Sequence, residues 1–296
     1  MKATQQASPE RGSKFEAMLN DALPPRDHPR YECYRQTALQ GVDSGEFILD
    51  LTSDHAAPHM DVLDVGCGNG GVAVACALRG HRVLAADMDA GSVARTLARA
   101  QAWGVTIDVL QSDASSLGLP AESFDMVVMN NIIEHVDDPD GALREAGRVL
   151  RPGGFAYIHA PQRWSPIGFL SDPHYGLFGV SVLPRSIGRW YVCTVRRLSP
   201  TYDMTTLPST WGLRSMIARR GLVPLCRTHE YLARLAFARC QSSRPGSALL
   251  RLLSRHRALL RCLSPLMPST TFLAFKPAAD RSLRVAPVTL IGPGRN

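Results

Sequence analysis

No stretch of the chain approaches the roughly 20 consecutive apolar residues that a membrane-spanning helix needs, so no such span is expected. The first twelve residues are polar and lack the apolar core of a secretion signal. Cysteine is sparse and scattered. The seven thiols are odd in number and show no paired metal-ligand spacing, which predicts reduced cysteines, a cytoplasmic protein and no metal site. Aromatic residues are few and do not interleave with basic ones as a base-stacking surface requires, which argues against a nucleic-acid partner. What remains is ordinary: 45% apolar and 20% charged residues fit a folded globular chain. Its 296 residues suffice for one large domain with extensions, or one domain and a smaller second. The net charge of +7, much of it after Arg185, suits an anionic membrane or substrate, and suits equally an arginine-rich proteome.

The most informative segment is Val62-Leu63-Asp64-Val65-Gly66-Cys67-Gly68-Asn69-Gly70, a short apolar strand running into glycines at alternate positions and then a helical stretch. Glycine lets the backbone turn tightly and approach a ligand where a β-carbon would collide. The following helix start offers unpaired N–H groups. From there strands and helices alternate. Strands are expected over 62–65, 82–86, 107–111, 125–129 and 155–160, and helices over 72–79, 90–103 and 138–150, with Gly80, Gly104 and Pro152-Gly153-Gly154 as stops. This predicts an α/β, Rossmann-like, seven-stranded and mostly parallel sheet with helices on both faces. Helices over 13–23 and 31–51, the second interrupted near Gly41, precede it. Helix 209–220 and strands 222–231 and 271–276 follow.

Carboxylates fall where the carboxyl ends of parallel strands gather, the side on which open sheets bind ligands. Asp87 ends the second strand, at the spacing where such folds hold a ribose; Asp113 follows the third and Asn130-Asn131 the fourth. The ordered set Asp64 to Gly70, Asp87, Asp113 through Leu119-Pro120, Phe124-Asp125 through Glu134-His135-Val136, and Leu150 to Gly154 resembles the class I S-adenosylmethionine-dependent methyltransferases, in particular the branch containing the ubiquinone and menaquinone biosynthesis enzymes. The resemblance covers about residues 60–161. It implies S-adenosyl-L-methionine as cofactor. Gly66, Cys67 and Gly68 would pass against the methionine part and Asp64 would orient its amino group. Asp87 would hold the ribose, Met88 would lie on the adenine face, Asp113 and Ala114 would contact the adenine edge, and the Asn130 backbone would line the methionine pocket. An NAD(P)-dependent oxidoreductase is the rival. It shares the sheet, the glycine turn and an acidic residue, but the glycines here alternate and no Tyr-x-x-x-Lys pair follows the fourth strand. A non-catalytic methyltransferase-like subunit and a macromolecular acceptor are further alternatives.

Transfer to an oxygen needs a general base, for which histidine is suited. His174, in Ser171-Asp172-Pro173-His174-Tyr175, ranks ahead of His135 as the catalytic candidate; His159 and His229 read as structural. Glu134 and His135 with Asp137 and Asp138 have the donors of a cation site, but read as a charged helix start, so no metal is expected. The chain divides into a tail with helices (1–53), a cofactor-binding core (54–161), an aromatic-rich lid or acceptor insert (162–208), a C-terminal part of the fold (209–278) and a tail (279–296). The insert's aromatics favour a small-molecule, glycan or lipid-linked acceptor. Residues 247–263 place leucines on one helical face and arginines elsewhere, which suits peripheral membrane contact or packing on the domain's own core.

Overall fold

The computed structural model of the chain describes residues 9–23, 26, 31–39, 41–172, 174–199, 201, 202, 204, 205, 207–239 and 264–278. At its centre lies β1 (Asp61–Val65), paired in parallel with β2 (Arg82–Asp87) on one side and β4 (Phe124–Asn130) on the other. β3 (Asp108–Gln111), β5 (Leu150–Pro161), β6 (Val223–Cys226) and β7 (Ser269–Phe275) complete a seven-stranded sheet in the order β3-β2-β1-β4-β5-β7-β6. Only β7 runs against its neighbours. The strand order reverses between β1 and β4, where the crossovers part and leave a crevice at the strands' carboxyl ends.

Alternation along the strands divides the core in two. Leu63, Val65, Val127, Met129, Ala156, Ile158 and Phe272 face α6 (Pro139–Val149) and α9 (Thr210–Arg219). Val62, Val83, Met126, Val128, Tyr157 and Leu273 face α3 (Gly41–Thr52), α4 (Gly71–Leu78) and α5 (Ala90–Trp103). β4 is buried on both faces, so Met126, Val127, Val128 and Met129 follow one another without the polar alternation of a half-exposed strand. α1 (Pro9–Ala22) and α2 (Tyr31–Leu39) pack Phe15, Leu19 and Ala38 on Ala98 and Ala102 of α5.

Helix ends follow local chemistry. Asp89 caps α5 by accepting from Ser92 N–H at 2.8 Å, and Gly104 ends it at φ 70°. Two expectations need correction. The strand expected over 222–231 ends at Cys226, and α10 (Thr228–Arg239) takes up the rest. Arg227 N–H donates to Thr271 O, and Thr228 Oγ1 accepts from Thr271 N–H, which turns the chain off the sheet edge. β5 begins at Leu150 and not at Phe155: Leu150 pairs with Phe124, and the Pro-Gly-Gly expected as a turn becomes an irregularity within the strand. Gly153 at φ 86° donates to Lys276 O across that irregularity. The stretch 247–263 and the tail 279–296 lie outside the described residues.

Candidate active site

The turn after β1 is held by its neighbour strand. Gly66 and Cys67 N–H both donate to Ala86 O, at 2.7 and 3.1 Å, and Gly68 N–H donates to Asp87 Oδ2 at 2.9 Å. Gly66, Gly68 and Gly70 all have left-handed φ, of 71°, 54° and 72°. A β-carbon on Gly66 would stand 2.3 Å from Ile132 Cδ1, and one on Gly70 2.8 Å from Thr96 Cα. At Gly68 nothing lies within 4 Å, so this bend faces open space. α5 braces the turn from outside: Arg95 Nε donates to Asn69 Oδ1 at 2.8 Å, and Thr96 Oγ1 lies 3.3 Å from Cys67 Sγ.

Two cavities meet at Gly66. One, of about 330 Å³, is lined by Asp64, Gly66, Cys67, Gly68, Asn69 and Asn130 and roofed by Leu23, Ala38, Gly41 and Ser44 of the N-terminal helical region. The other, of about 250 Å³, is lined by Asp87, Met88, Ser112, Asp113, Ala114, Asn131, Ile132 and His135. All nine residues expected to contact a cofactor therefore line one or the other. The roof was not expected from the sequence; only the helical spacing of 13–23 hinted that an apolar face needed something to cover. Asn131, placed at the end of the fourth strand but given no role, lines the second cavity; it holds φ 56° and donates its N–H to His159 O at 2.8 Å.

Asp64 is buried, its carboxylate accepts the Ala73 N–H, and its Oδ2 has no hydrogen-bond partner. Burial pushes its carboxyl up to about 7, and the nearby Asp87 charge adds to the rise. An unpartnered carboxylate oxygen at the wall of an open cleft fits an ammonium ligand. Cys67 is an inert wall, its thiol pushed up to about 12 chiefly by burial. Asp113 differs from expectation in one respect. Its Oδ1 accepts from Ser115 N–H (2.7 Å) and Ser115 Oγ (2.8 Å), so this oxygen shapes the loop beside Ala114. Met88, at the edge of the second cavity, is 70% exposed.

The insert brings the two candidate bases together. His135 and His174 stand edge to face with ring centroids 5.2 Å apart, beside the fully buried Glu134. Burial pushes the Glu134 carboxyl up to about 8. One ligand atom from each of Glu134, His135 and His174 lies within 4.8 Å of the others, so a proton or a cation can be shared among them. Asp137 and Asp138 point to other tasks: Asp137 pairs with Arg185 at 3.3 Å, and Asp138 caps α6 through Gly141 N–H at 2.8 Å. His174 is oriented by Asp172, whose Oδ1 accepts the N–H of His174 and of Tyr175 at 2.9 and 2.6 Å. The insert carries its own small core of Tyr175, Leu177, Val180, Val192, Met204 and Leu207. It is tied to the loop after β4 by Thr205, whose N–H and Oγ1 both donate to Glu134 O, at 2.7 and 3.1 Å. His159 is buried against Thr271 (2.8 Å) with its pKa lowered to about 4 by desolvation, and His229 is buried beside Glu230.

Comparison with known proteins bears on the family and the fold. The family described as methyltransferase domain matches residues 63–158. A ubiquinone biosynthesis O-methyltransferase of Ruegeria pomeroyi is 31% identical over 147 residues, covering 48% of this chain and 59% of that protein. One of Hahella chejuensis is 32% identical over 144 residues, 48% of this chain and 60% of its own length. The chain thus spans about three fifths of the length of such relatives. Among solved structures, the [4+2]-cyclase SpnF aligns with a TM-score of 0.52 at 18% identity, over 93% of this chain and 98% of that one. A Haemonchus contortus N-methyltransferase in complex with phosphomonomethylethanolamine and S-adenosylhomocysteine aligns with a TM-score of 0.50 at 18% identity, over 89% and 60%. Likeness at that identity establishes the fold, and a cyclase among the neighbours shows that the fold does not dictate the reaction. Over residues 63–158 this chain is thus similar to the methyltransferase domain family.

Proposed function

We propose that this chain is an S-adenosylmethionine-dependent methyltransferase acting on an oxygen of a small-molecule or lipid-linked acceptor in a biosynthetic pathway. The observation that carries this reading is the junction of the two cavities at Gly66, between an amino-acid-sized cleft at Asp64 and a second cleft at Asp87 and Asp113. In this reading Gly66, Cys67, Gly68 and Asn130 line the methionine part, Asp64 binds its ammonium, Asp87 the ribose, and Met88, Asp113 and Ala114 the adenine. The name shared by the relatives supports oxygen as the accepting atom.

When bound, the cofactor supplies an electrophilic methyl group. The protein then has two tasks: holding the acceptor in line, worth on the order of 7–11 kcal/mol, and removing its proton, worth about 10²–10⁴ in rate. His174, set by Asp172, takes the acceptor proton at a ring nitrogen, with His135 and Glu134 beside it to receive that proton in turn. The 4.8 Å convergence of the same three groups favours a second reading, a divalent cation held there. Turnover abolished by EDTA and restored by magnesium would select it. Exposed apolar side chains on the insert, Trp164, Ile167, Leu170, Phe178 and Trp190, suit an acceptor delivered from a membrane surface to a cytoplasmic enzyme. Among the described residues no helix is long and apolar enough to cross a membrane.

The test is calorimetric titration with S-adenosylhomocysteine, then mass spectrometry for a product heavier by one CH₂ from hydroxylated quinone or phenol acceptors. Binding of the nucleoside without NAD(P) binding is expected. Failure to bind it, or preference for a nicotinamide dinucleotide, overturns the reading.

A further inference from the structure

Helix α5 carries an arginine in a place where arginine is rare. Arg99 is fully buried, among the largest side chains with no exposure. Its guanidinium lies over the Phe15 ring at 4.2 Å and near Trp103 at 5.6 Å, a contact that stabilises the charge without using its N–H groups. Nη2 donates to Ala38 O, while Nε and Nη1 have no hydrogen-bond partner among the described residues. Burial lowers its pKa to about 10 and no carboxylate among the described residues contributes to the shift, so the group stays charged at neutral pH with no countercharge among them. An uncompensated buried cation is costly, and folds keep one where something supplies the missing anion.

The surroundings show where that anion would sit. Arg99 lines the same cleft as Asp64, Gly68, Asn69 and Asn130. It reaches the cleft through a gap left by two glycines. A β-carbon on Gly41 would stand 2.3 Å from Arg99 Nη1, and one on Gly71 would stand 2.4 Å from the Gly41 backbone. The cleft therefore holds one buried cation with two unused donors and one buried carboxylate with an unused oxygen. That pair is complementary to an α-amino-acid zwitterion, ammonium on Asp64 and carboxylate on Arg99.

We infer that Arg99 is the carboxylate anchor of this site, and that through it the cleft selects a nucleoside bearing an intact amino acid. The inference rests on the proposed cofactor reading. Its test compares, by calorimetry, S-adenosylhomocysteine with its decarboxylated amine and with 5′-methylthioadenosine, in the wild-type protein, Arg99→Met and Arg99→Lys. The wild type is expected to prefer the carboxylate-bearing ligand to its decarboxylated form by about ten- to a hundredfold, the range for a charge-assisted bond. Arg99→Met, a similar apolar length against Phe15 and Trp103, removes that preference and leaves affinity for the two truncated ligands unchanged. Should Arg99→Met fail to fold, Arg99→Lys decides, since it keeps the charge but loses the fork, and the preference should fall severalfold. Equal wild-type affinity for both amines, an unchanged preference in the variants, or an equal loss for all three ligands overturns the anchor. A wild-type protein that binds none of the three overturns the cofactor reading instead.

Discussion

The two walls of the site are built differently. The wall formed by β1, β2 and their turns relies on backbone: positive-φ glycines and N–H groups pinned to Ala86 and Asp87, with Asp64 and Cys67 buried behind them. The insert wall uses side chains. It consists of α7 (Pro166–Leu170), α8 (Arg185–Arg189) and irregular turns around a small core, joined to the loop after β4 at Thr205 and closed at its own base where Arg163 N–H donates to Pro208 O at 3.1 Å. Backbone recognition tolerates little change and fixes one ligand; side-chain recognition can be exchanged without disturbing the fold. In the proposed reading, cofactor choice and acceptor choice fall to separable parts of the chain.

The largest effect that would test this separation is expected at Gly66. Gly66→Val adds a β-carbon into Ile132 at a φ of 71°, which a branched side chain does not adopt without strain. Affinity for S-adenosylhomocysteine should fall by roughly two orders of magnitude or more, and turnover with it. Retained binding would show that the glycine turn does not form the ligand wall. The reciprocal test is His174→Ala. Turnover should fall by about 10²–10³ while cofactor affinity stays as in the wild type. A parallel loss of affinity would break the comparison, because the insert would then belong to the cofactor site as well.

How far each wall was legible follows from the same difference. The sheet wall is written in local signals: an apolar run, a carboxylate and a glycine each fall within a few positions, so Asp64, Asp87 and Asp113 could be placed at strand ends before any coordinates. α5 was readable to both termini because Asp89 and Gly104 are chemical stops. The run 222–231 misled because Arg227-Thr228-His229-Glu230 contains no glycine or proline to mark a stop, and it is the bonding of Arg227 and Thr228 to Thr271 that turns the chain off the strand. Arg99 was illegible for a related reason. Spaced four residues from Arg95 among alanines, it reads as a solvated helix face, and the burial comes from Phe15, which is remote in sequence. The meeting of His135 with His174 depends on how the insert folds back, which no local spacing encodes.

A moderate, pH-dependent effect sharpens the electrostatics of the sheet wall. Asp64 and Glu134 titrate near 7 and 8 in the folded chain because burial disfavours their charged forms. For groups raised in this way, the stabilisation is complete below their unfolded values near 4 and is lost as pH rises through the folded ones. The melting temperature of the ligand-free protein should therefore fall between about pH 5 and 8, and Asp64→Asn should flatten the lower part of that slope. An ammonium placed on Asp64 reverses the trend for the complex. The stabilisation by S-adenosylhomocysteine, read by thermal shift, should grow between about pH 5.5 and 7.5. A ligand-induced shift independent of pH would mean that Asp64 does not meet the ammonium.

The smallest effect is expected where the two walls join. Thr205 Oγ1 donates to Glu134 O at 3.1 Å and to Val136 O at 2.7 Å, while its N–H independently donates to Glu134 O. Thr205→Val keeps the shape and the backbone bond and removes only the hydroxyl. Loss of about 1 kcal/mol of stability is the expected cost, since each carbonyl can turn to water or to its remaining partner. The useful readout is kinetic. If the insert positions the acceptor and nothing else, KM for the acceptor should rise severalfold, with kcat and cofactor affinity held. A fall in kcat at constant KM would place the hydroxyl's influence on Glu134 and the facing histidines, so that the seam tunes proton transfer rather than acceptor binding.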